Sequence, residues 1–154
     1  MRKSVLTLFA AGVVLAIGGV AAADHLAKCP GTWKLVSAER DGKALPREDT
    51  ENITLTCKAD GETLKLVVKK GDKVVTEATA KLVRKGDKHD QFNVTYIKGF
   101  NQKKSLEGKT LHGIIHIEGD TMKVCWGADE GYPKDFTAAK DSGCTVRTYQ
   151  RVKN

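Results

Sequence analysis

The residues best suited to bind a metal ion are two histidines, His112 and His116, in the segment "TLHGIIHIE". Apolar and polar residues alternate there as in a β-strand. Side chains four residues apart on a strand face the same side, but a rise of ~3.3 Å per residue separates them by about 13 Å. The two histidines therefore cannot bind the same ion together, because the bonds from a metal ion to its ligands are only about 2 Å long. The sequence predicts no metal site and no cofactor.

No group of residues has the spacing of a catalytic centre. The serines lie in no nucleophile motif, and most acidic residues occur in turns, where Asp is favoured for backbone reasons. Glu39 has the same strand parity as Trp33 and Leu35, which would turn it inward beside Arg40 or Arg47. We interpret Glu39 as a strand-end charge in solvent. We predict that the protein is not an enzyme, and a hydrolase ranks third among the functions considered.

Residues 1–23 have the pattern of a secretory signal peptide. Two basic residues, Arg2 and Lys3, precede an apolar run that ends in three alanines before Asp24. The run is short and interrupted by glycine, unlike a transmembrane anchor of ~20 apolar residues. We expect cleavage, export to the periplasm or the medium, and a single mature domain over residues 24–154 with no membrane span.

The mature chain is modestly basic, because loss of Arg2 and Lys3 lowers the formal charge from +7 to +5. Its lysines are spread over most of the turns, without the clustered arginines and interleaved aromatic residues of a nucleic-acid surface. The charge pattern therefore predicts solvated loops and no nucleic-acid partner.

The turn dipeptides of the mature chain, such as Asp41-Gly42 and Asp60-Gly61, separate segments of alternating apolar and polar residues. Eight strands are predicted, over Thr32–Arg40, Asn52–Lys58, Glu62–Lys69, Lys73–Val83, Gln91–Ile97, Lys109–Ile117, Thr121–Gly127 and Cys144–Val152. Short hairpins favour an antiparallel meander, and closure removes its exposed edges. We predict an all-β, eight-stranded antiparallel up-and-down barrel, with a two-sheet β-sandwich as the alternative.

The predicted interior is bulky and almost wholly apolar. It comprises Trp33, Leu35, Ile53, Leu55, Leu64, Leu66, Phe92, Val94, Tyr96, Leu111, Ile115, Ile117, Met122, Val124 and Trp126. In a barrel of eight strands, the inward-facing side chains either fill the interior completely or leave room for one small ligand.

Four cysteines lie in the predicted mature chain, and no two are spaced C-x-x-C as in many zinc sites. An even number in an exported chain predicts two disulfides. In a meander, Cys29 and Cys57 lie at the end where the first strand begins, and Cys125 and Cys144 lie at the opposite end. Because the bridged Cα atoms must lie within about 7 Å, this arrangement predicts the pairs Cys29–Cys57 and Cys125–Cys144.

Several blocks of the sequence resemble an uncharacterised lipocalin-like domain family that is abundant in planctomycete bacteria. They are "GTWKLVSAERDGKALP", "NQKKSLEGKTLHGIIHIEGDTMKVCWG", the Tyr132–Phe136 loop and the last strand. The resemblance covers nearly the whole mature chain and implies an exported, lipocalin-like barrel. The family has no established activity, so it implies none here.

A more distant resemblance to lipocalins depends on Gly31-x-Trp33 at the start of the first strand. In lipocalins this tryptophan closes the barrel floor, and an arginine of the last strand packs across it. The resemblance implies Arg151, or less favourably Arg147, as the partner of Trp33. Such a pair would combine a cation–π contact with burial of the arginine stem.

These observations predict an exported, non-catalytic binding protein. Its ligand would be small and mainly apolar, or its partner would be an exported protein of the cell envelope. The interior residues expected to contact a ligand are Trp33, Leu35, Phe92, Tyr96, Met122 and Trp126. The alternative is a barrel filled by those side chains, acting as a protein-interaction or inhibitor-like module.

Overall fold

The structure, a computed structural model, describes residues 24–101, 104–127 and 131–153. The predicted signal peptide, residues 1–23, lies outside these ranges. No helix within them is long and apolar enough to cross a membrane.

Almost all of the described chain forms strands or the turns between them. The strands are β1 (Gly31–Arg40), β2 (Lys43–Ala44), β3 (Ile53–Asp60), β4 (Thr63–Lys70), β5 (Lys73–Arg84), β6 (Asp90–Lys98), β7 (Phe100–Asn101), β8 (Lys104–Ser105), β9 (Thr110–Glu118), β10 (Thr121–Trp126) and β11 (Thr145–Arg151). A 3₁₀ turn at Leu26–Lys28 and a short helix α1 at Arg47–Thr50 are the described helical segments.

The eight long strands close into an antiparallel barrel. Each pairs with the next long strand along the chain, in the order β1, β3, β4, β5, β6, β9, β10, β11, and β11 pairs with β1 to complete the ring. The short β2 pairs with the end of β1 outside the ring, and β7 and β8 form a separate small hairpin. The predicted barrel is confirmed, and the alternative of a two-sheet sandwich is wrong.

The interior is built from the alternating apolar residues that the sequence predicts to face inward. All fifteen of them belong to one core cluster, to which the structure adds Ala78 and Ala80 of β5. Phe92 lies opposite Gly113 in the neighbouring strand, and a Cβ atom built on Gly113 would come within 2.6 Å of the Phe92 ring. Glycine at this position therefore allows the aromatic ring to pack across β9.

A β-bulge in β1 reverses the side-chain parity after Leu35. The register with β11 shifts between Leu35 and Ser37, which leaves Val36 62% exposed and turns Ala38 inward at 3% exposure. Glu39 consequently lies opposite Val146 on the outer face, so the inward parity considered for Glu39 is wrong. The same shift turns Arg40 toward the interior, where it lines a cavity.

A second apolar cluster lies outside the ring. Ile114 and Val146 point outward and are covered by Ala138 and Phe136 from the connection between β10 and β11, together with Cys125 and Cys144. Gly42 also donates its backbone N–H to the Ala138 carbonyl, which ties this connection to the turn after β1. The connection therefore packs along the wall of the barrel as well as following its end.

Candidate functional site

Trp33 lies at one end of the barrel, which we name the floor. Its side chain is fully buried, and its indole N–H donates to the Cys29 carbonyl at 2.7 Å. The guanidinium carbon of Arg151 lies 4.0 Å from the centroid of the Trp33 ring, and the two residues are directly paired between β1 and β11. Arg151 is thus the last-strand arginine that packs across the tryptophan, and Arg147 is placed elsewhere.

Backbone carbonyls hold the floor arginine in position. Arg151 donates to Pro30 at 2.9 Å and to Lys28 at 2.7 Å, and its Nε lies 3.8 Å from Asp120. A Cβ atom on Gly31 would come within 2.7 Å of an Arg151 nitrogen, and Gly31 has a φ of 131°. Both the backbone conformation and the close approach of the guanidinium thus require glycine at this position.

The residues just before β1 plug the floor. His25 is 3% exposed, and its Nδ1 accepts the backbone N–H of Ile117 at 3.1 Å. Asp90 is fully buried and accepts the backbone N–H of Leu26 at 2.9 Å. His25 is therefore packed into the floor, although nothing in the local sequence pattern places it there.

Above the floor, the barrel encloses a cavity of about 120 Å³. Of the residues expected to contact a ligand, Phe92, Tyr96, Met122 and Trp126 line it, whereas Trp33 and Leu35 are core residues outside its lining. An apolar cavity of about 150 Å³ can hold benzene, while pockets for drug-sized ligands have about 300–1,000 Å³. The interior is therefore largely filled, and its free space suits a very small molecule or the chain of one that extends toward the mouth.

Solvent exposure of the cavity lining rises toward the end opposite the floor, which we name the mouth. Met122, at the floor end of β10, is completely buried, whereas Trp126, at the mouth end of the same strand, is half-buried. Leu111, near the mouth end of β9, is also half-buried, and Leu106 lies over the cavity from the connection between β6 and β9. A ligand would therefore reach the cavity from the mouth.

The upper cavity wall contains polar groups that the sequence analysis did not assign to it. Arg147 and Tyr149 alternate along β11 on its inner face, and Arg40 reaches the same cavity after the bulge in β1. The Arg147 guanidinium lies 5.1 Å from the centroid of the Trp126 ring. The signal for Arg147 is in the sequence, since it has the same parity as Arg151, four residues later in the strand.

His112 and His116, the two histidines of β9, contact different neighbours. His112 contacts Asn93 at 2.8 Å through Nδ1, and His116 contacts the Lys88 carbonyl at 2.7 Å and Glu118 at 3.7 Å. Within residues 24–101, 104–127 and 131–153, no three His, Cys, Asp or Glu side chains are placed to hold a metal ion.

The cysteines occur as two close pairs and are thiols in the structure. The sulfur atoms of Cys29 and Cys57 lie 2.8 Å apart near the floor, and Cys125 and Cys144 meet in the outer cluster. Burial, together with the neighbouring Cys144, raises the pKa of Cys125 to about 12. The pKa of Cys57 is also raised, mainly by its hydrogen bond with Cys29 and secondly by burial. Cys57 and Cys125 therefore remain protonated at neutral pH in the folded structure.

Comparison of the chain with models of known protein families matched none, and comparison with curated proteins found no relative. The fold and the site define a class, a closed eight-stranded antiparallel barrel with a small internal cavity.

Proposed function

We propose that the protein is an exported, non-catalytic binding protein that holds one small, mainly apolar ligand inside the barrel. The observation that carries the proposal is the cavity of about 120 Å³, whose lining is buried at the floor and becomes half-buried toward the mouth. Its wall consists mostly of Leu, Val, Ala and aromatic side chains, which favour hydrocarbon over strongly polar ligands.

Membership of the lipocalin-like planctomycete family is part of this proposal. Gly31-x-Trp33 begins the first strand, and Arg151 of the last strand packs across the tryptophan ring. These features support the distant resemblance to lipocalins, in which a tryptophan at this point closes the barrel floor under an arginine of the last strand.

Export would also determine the state of the cysteines. We infer that the mature protein contains the disulfides Cys29–Cys57 and Cys125–Cys144, because each pair is already in proximity in the fold. An oxidising compartment favours such bonds, and the raised thiol pKa values favour their formation before folding buries the sulfur atoms.

Filling the cavity is the test of ligand binding. Ala80 is 1% exposed and lines the cavity, so the Ala80→Leu side chain would occupy space that a ligand needs. We expect wild-type protein to bind 1-hexanol saturably at one site in a calorimetric titration. We expect the variant to lose about tenfold or more in affinity while keeping or gaining stability, since it fills a void.

The matched control is Lys81→Leu, which adds the same side chain at the neighbouring exposed position. It should leave hexanol binding unchanged. A wild-type protein that binds no apolar probe would contradict the proposal, as would loss of about 1–3 kcal/mol of stability in Ala80→Leu, the response of an overpacked core. Those results would favour the filled-barrel interaction module.

A further inference from the structure

The charged groups in the cavity wall all have the same sign. Among the described residues that line the cavity, the charged side chains are Arg40 and Arg147, and none is a carboxylate. Arg40 is engaged, because its Nε donates to the Thr145 hydroxyl at 3.0 Å. The positive charge in the wall is therefore not balanced by an acidic neighbour within it.

Arg147 is the less satisfied of these two arginines. A guanidinium carries five N–H donors, yet the hydrogen bond that the structure gives Arg147 is a long one, 3.4 Å from Nη1 to the Tyr149 hydroxyl. Its Nε is buried without a partner, and no ion pair in the described part of the chain includes it. The Arg147 side chain as a whole is half-buried, and burial of its Nε without a partner costs free energy.

Two tyrosines lie close to this cation and also line the cavity. Burial raises the pKa of Tyr96 to about 12, against the opposing effect of the Arg147 charge, so its hydroxyl remains a neutral donor. Burial acts to lower the pKa of Arg147 but is outweighed by Tyr149 and Tyr96, and the net shift is upward. A charged guanidinium and the neutral Tyr96 hydroxyl therefore both line the cavity.

We propose that the ligand carries a single carboxylate, which Arg147 binds in the upper cavity while the hydrocarbon part of the ligand packs below against the apolar wall. This inference rests on the proposed function and specifies the chemical class of its ligand. A monocarboxylate neutralises one guanidinium and accepts two N–H bonds from its planar fork. A phosphate dianion would cost more free energy to remove from water beside an apolar wall, and a cation would be repelled by the arginines.

The test compares three probes with one hydrocarbon chain and different head groups: hexanoate, 1-hexanol and hexylamine. In calorimetric titrations of the full mature protein, hexanoate should bind at least about tenfold more tightly than hexanol, and hexylamine should bind most weakly. Arg147→Met should reduce hexanoate affinity by roughly 10- to 100-fold and leave hexanol affinity within about threefold. Without ligand, this variant should unfold at a higher urea concentration than wild type, because it removes an incompletely paired charge.

Arg47→Met is the matched control, since the Arg47 side chain is 91% exposed on α1 and should not affect binding of any probe. Arg147→Lys keeps the charge without the planar fork and should retain part of the hexanoate preference. Binding of hexanol and hexanoate with equal affinity by wild type would overturn the carboxylate inference and leave the proposed function standing. So would a preference for hexanoate that survives Arg147→Met. Binding of no probe would overturn both.

Discussion

Replacement of Trp33 by alanine is expected to lower the free energy of unfolding by about 3–5 kcal/mol. The substitution removes a fully buried indole, its hydrogen bond to the Cys29 carbonyl and the ring under Arg151. It also leaves a void where the first and last strands meet. Since domains of this kind are stable by about 5–15 kcal/mol, the loss is a large part of the total. Urea unfolding followed by far-UV circular dichroism measures it without relying on tryptophan fluorescence.

Val36→Ala, in the same strand, is the control for this experiment. Val36 is 62% exposed at the bulge, so its truncation should change stability by no more than about 0.5 kcal/mol. Trp33→Phe should have an intermediate effect, because it keeps an aromatic surface under Arg151 but loses the N–H donor. A loss below about 1 kcal/mol in Trp33→Ala would show that the floor does not depend on the tryptophan.

Reduction of the proposed disulfide form is expected to lower its stability by about 3–4 kcal/mol for the Cys29–Cys57 bond. The two cysteines are 28 residues apart in the chain, and a bond between them closes a loop that lowers the conformational entropy of the unfolded chain. The Cys125–Cys144 bond closes a shorter loop, so its effect should be slightly smaller. Urea unfolding with and without a reductant measures the combined effect, and the double variant Cys29→Ser/Cys57→Ser isolates the first bond.

Peptide mapping without reduction identifies the bonds themselves. The proposed state predicts one fragment pair joined through Cys29 and Cys57 and another joined through Cys125 and Cys144. A bridge between Cys29 and Cys144 would contradict the pairing. Four free thiols in protein recovered from the periplasm or medium would contradict both the disulfides and the compartment inferred from them.

The barrel could be predicted from the sequence because the residue pattern of each strand indicates where the strand lies and which of its faces is buried. Alternation of apolar and polar residues defines eight segments of the right length, and the turn dipeptides favour short hairpins between most of them. The resemblance to lipocalins implies the contact between Trp33 and an arginine of the last strand, and closure of an antiparallel meander favours Arg151 because it brings the end of that strand beside the start of the first.

The upper cavity wall could not be predicted in the same way, because a bulge has no reliable sequence signal. Parity counted from Trp33 turns Glu39 inward, whereas the bulge after Leu35 turns Glu39 out and Arg40 in. Arg147 needed no such correction, since it shares the parity of Arg151. The resemblance to lipocalins suggests Arg147 only as a second candidate for packing across Trp33 at the floor, and does not suggest a place in the cavity wall.

The alternation of apolar and polar residues also could not predict which strand residues the loops cover. Ile114 lies between two histidines on a face that alternation assigns to solvent, yet it is fully buried by the connection between β10 and β11. In the same way, His25 enters the floor through a bond to Ile117, which is 92 residues away in the chain. Contacts of this kind depend on where a loop finally lies, and periodicity contains no information on that.

The most direct test of the central claim, that the barrel interior binds a small ligand, is a methyl NMR titration with hexanoate. The methyl groups of Leu66, Leu111, Ile115, Met122 and Val124 line the cavity, and those of Val36, Val83 and Ile97 are exposed and serve as internal controls. Binding inside the barrel should shift the signals of the cavity methyl groups saturably and change those of the exposed methyl groups little. Shifts confined to the exposed methyl groups, or none that saturate, would contradict it.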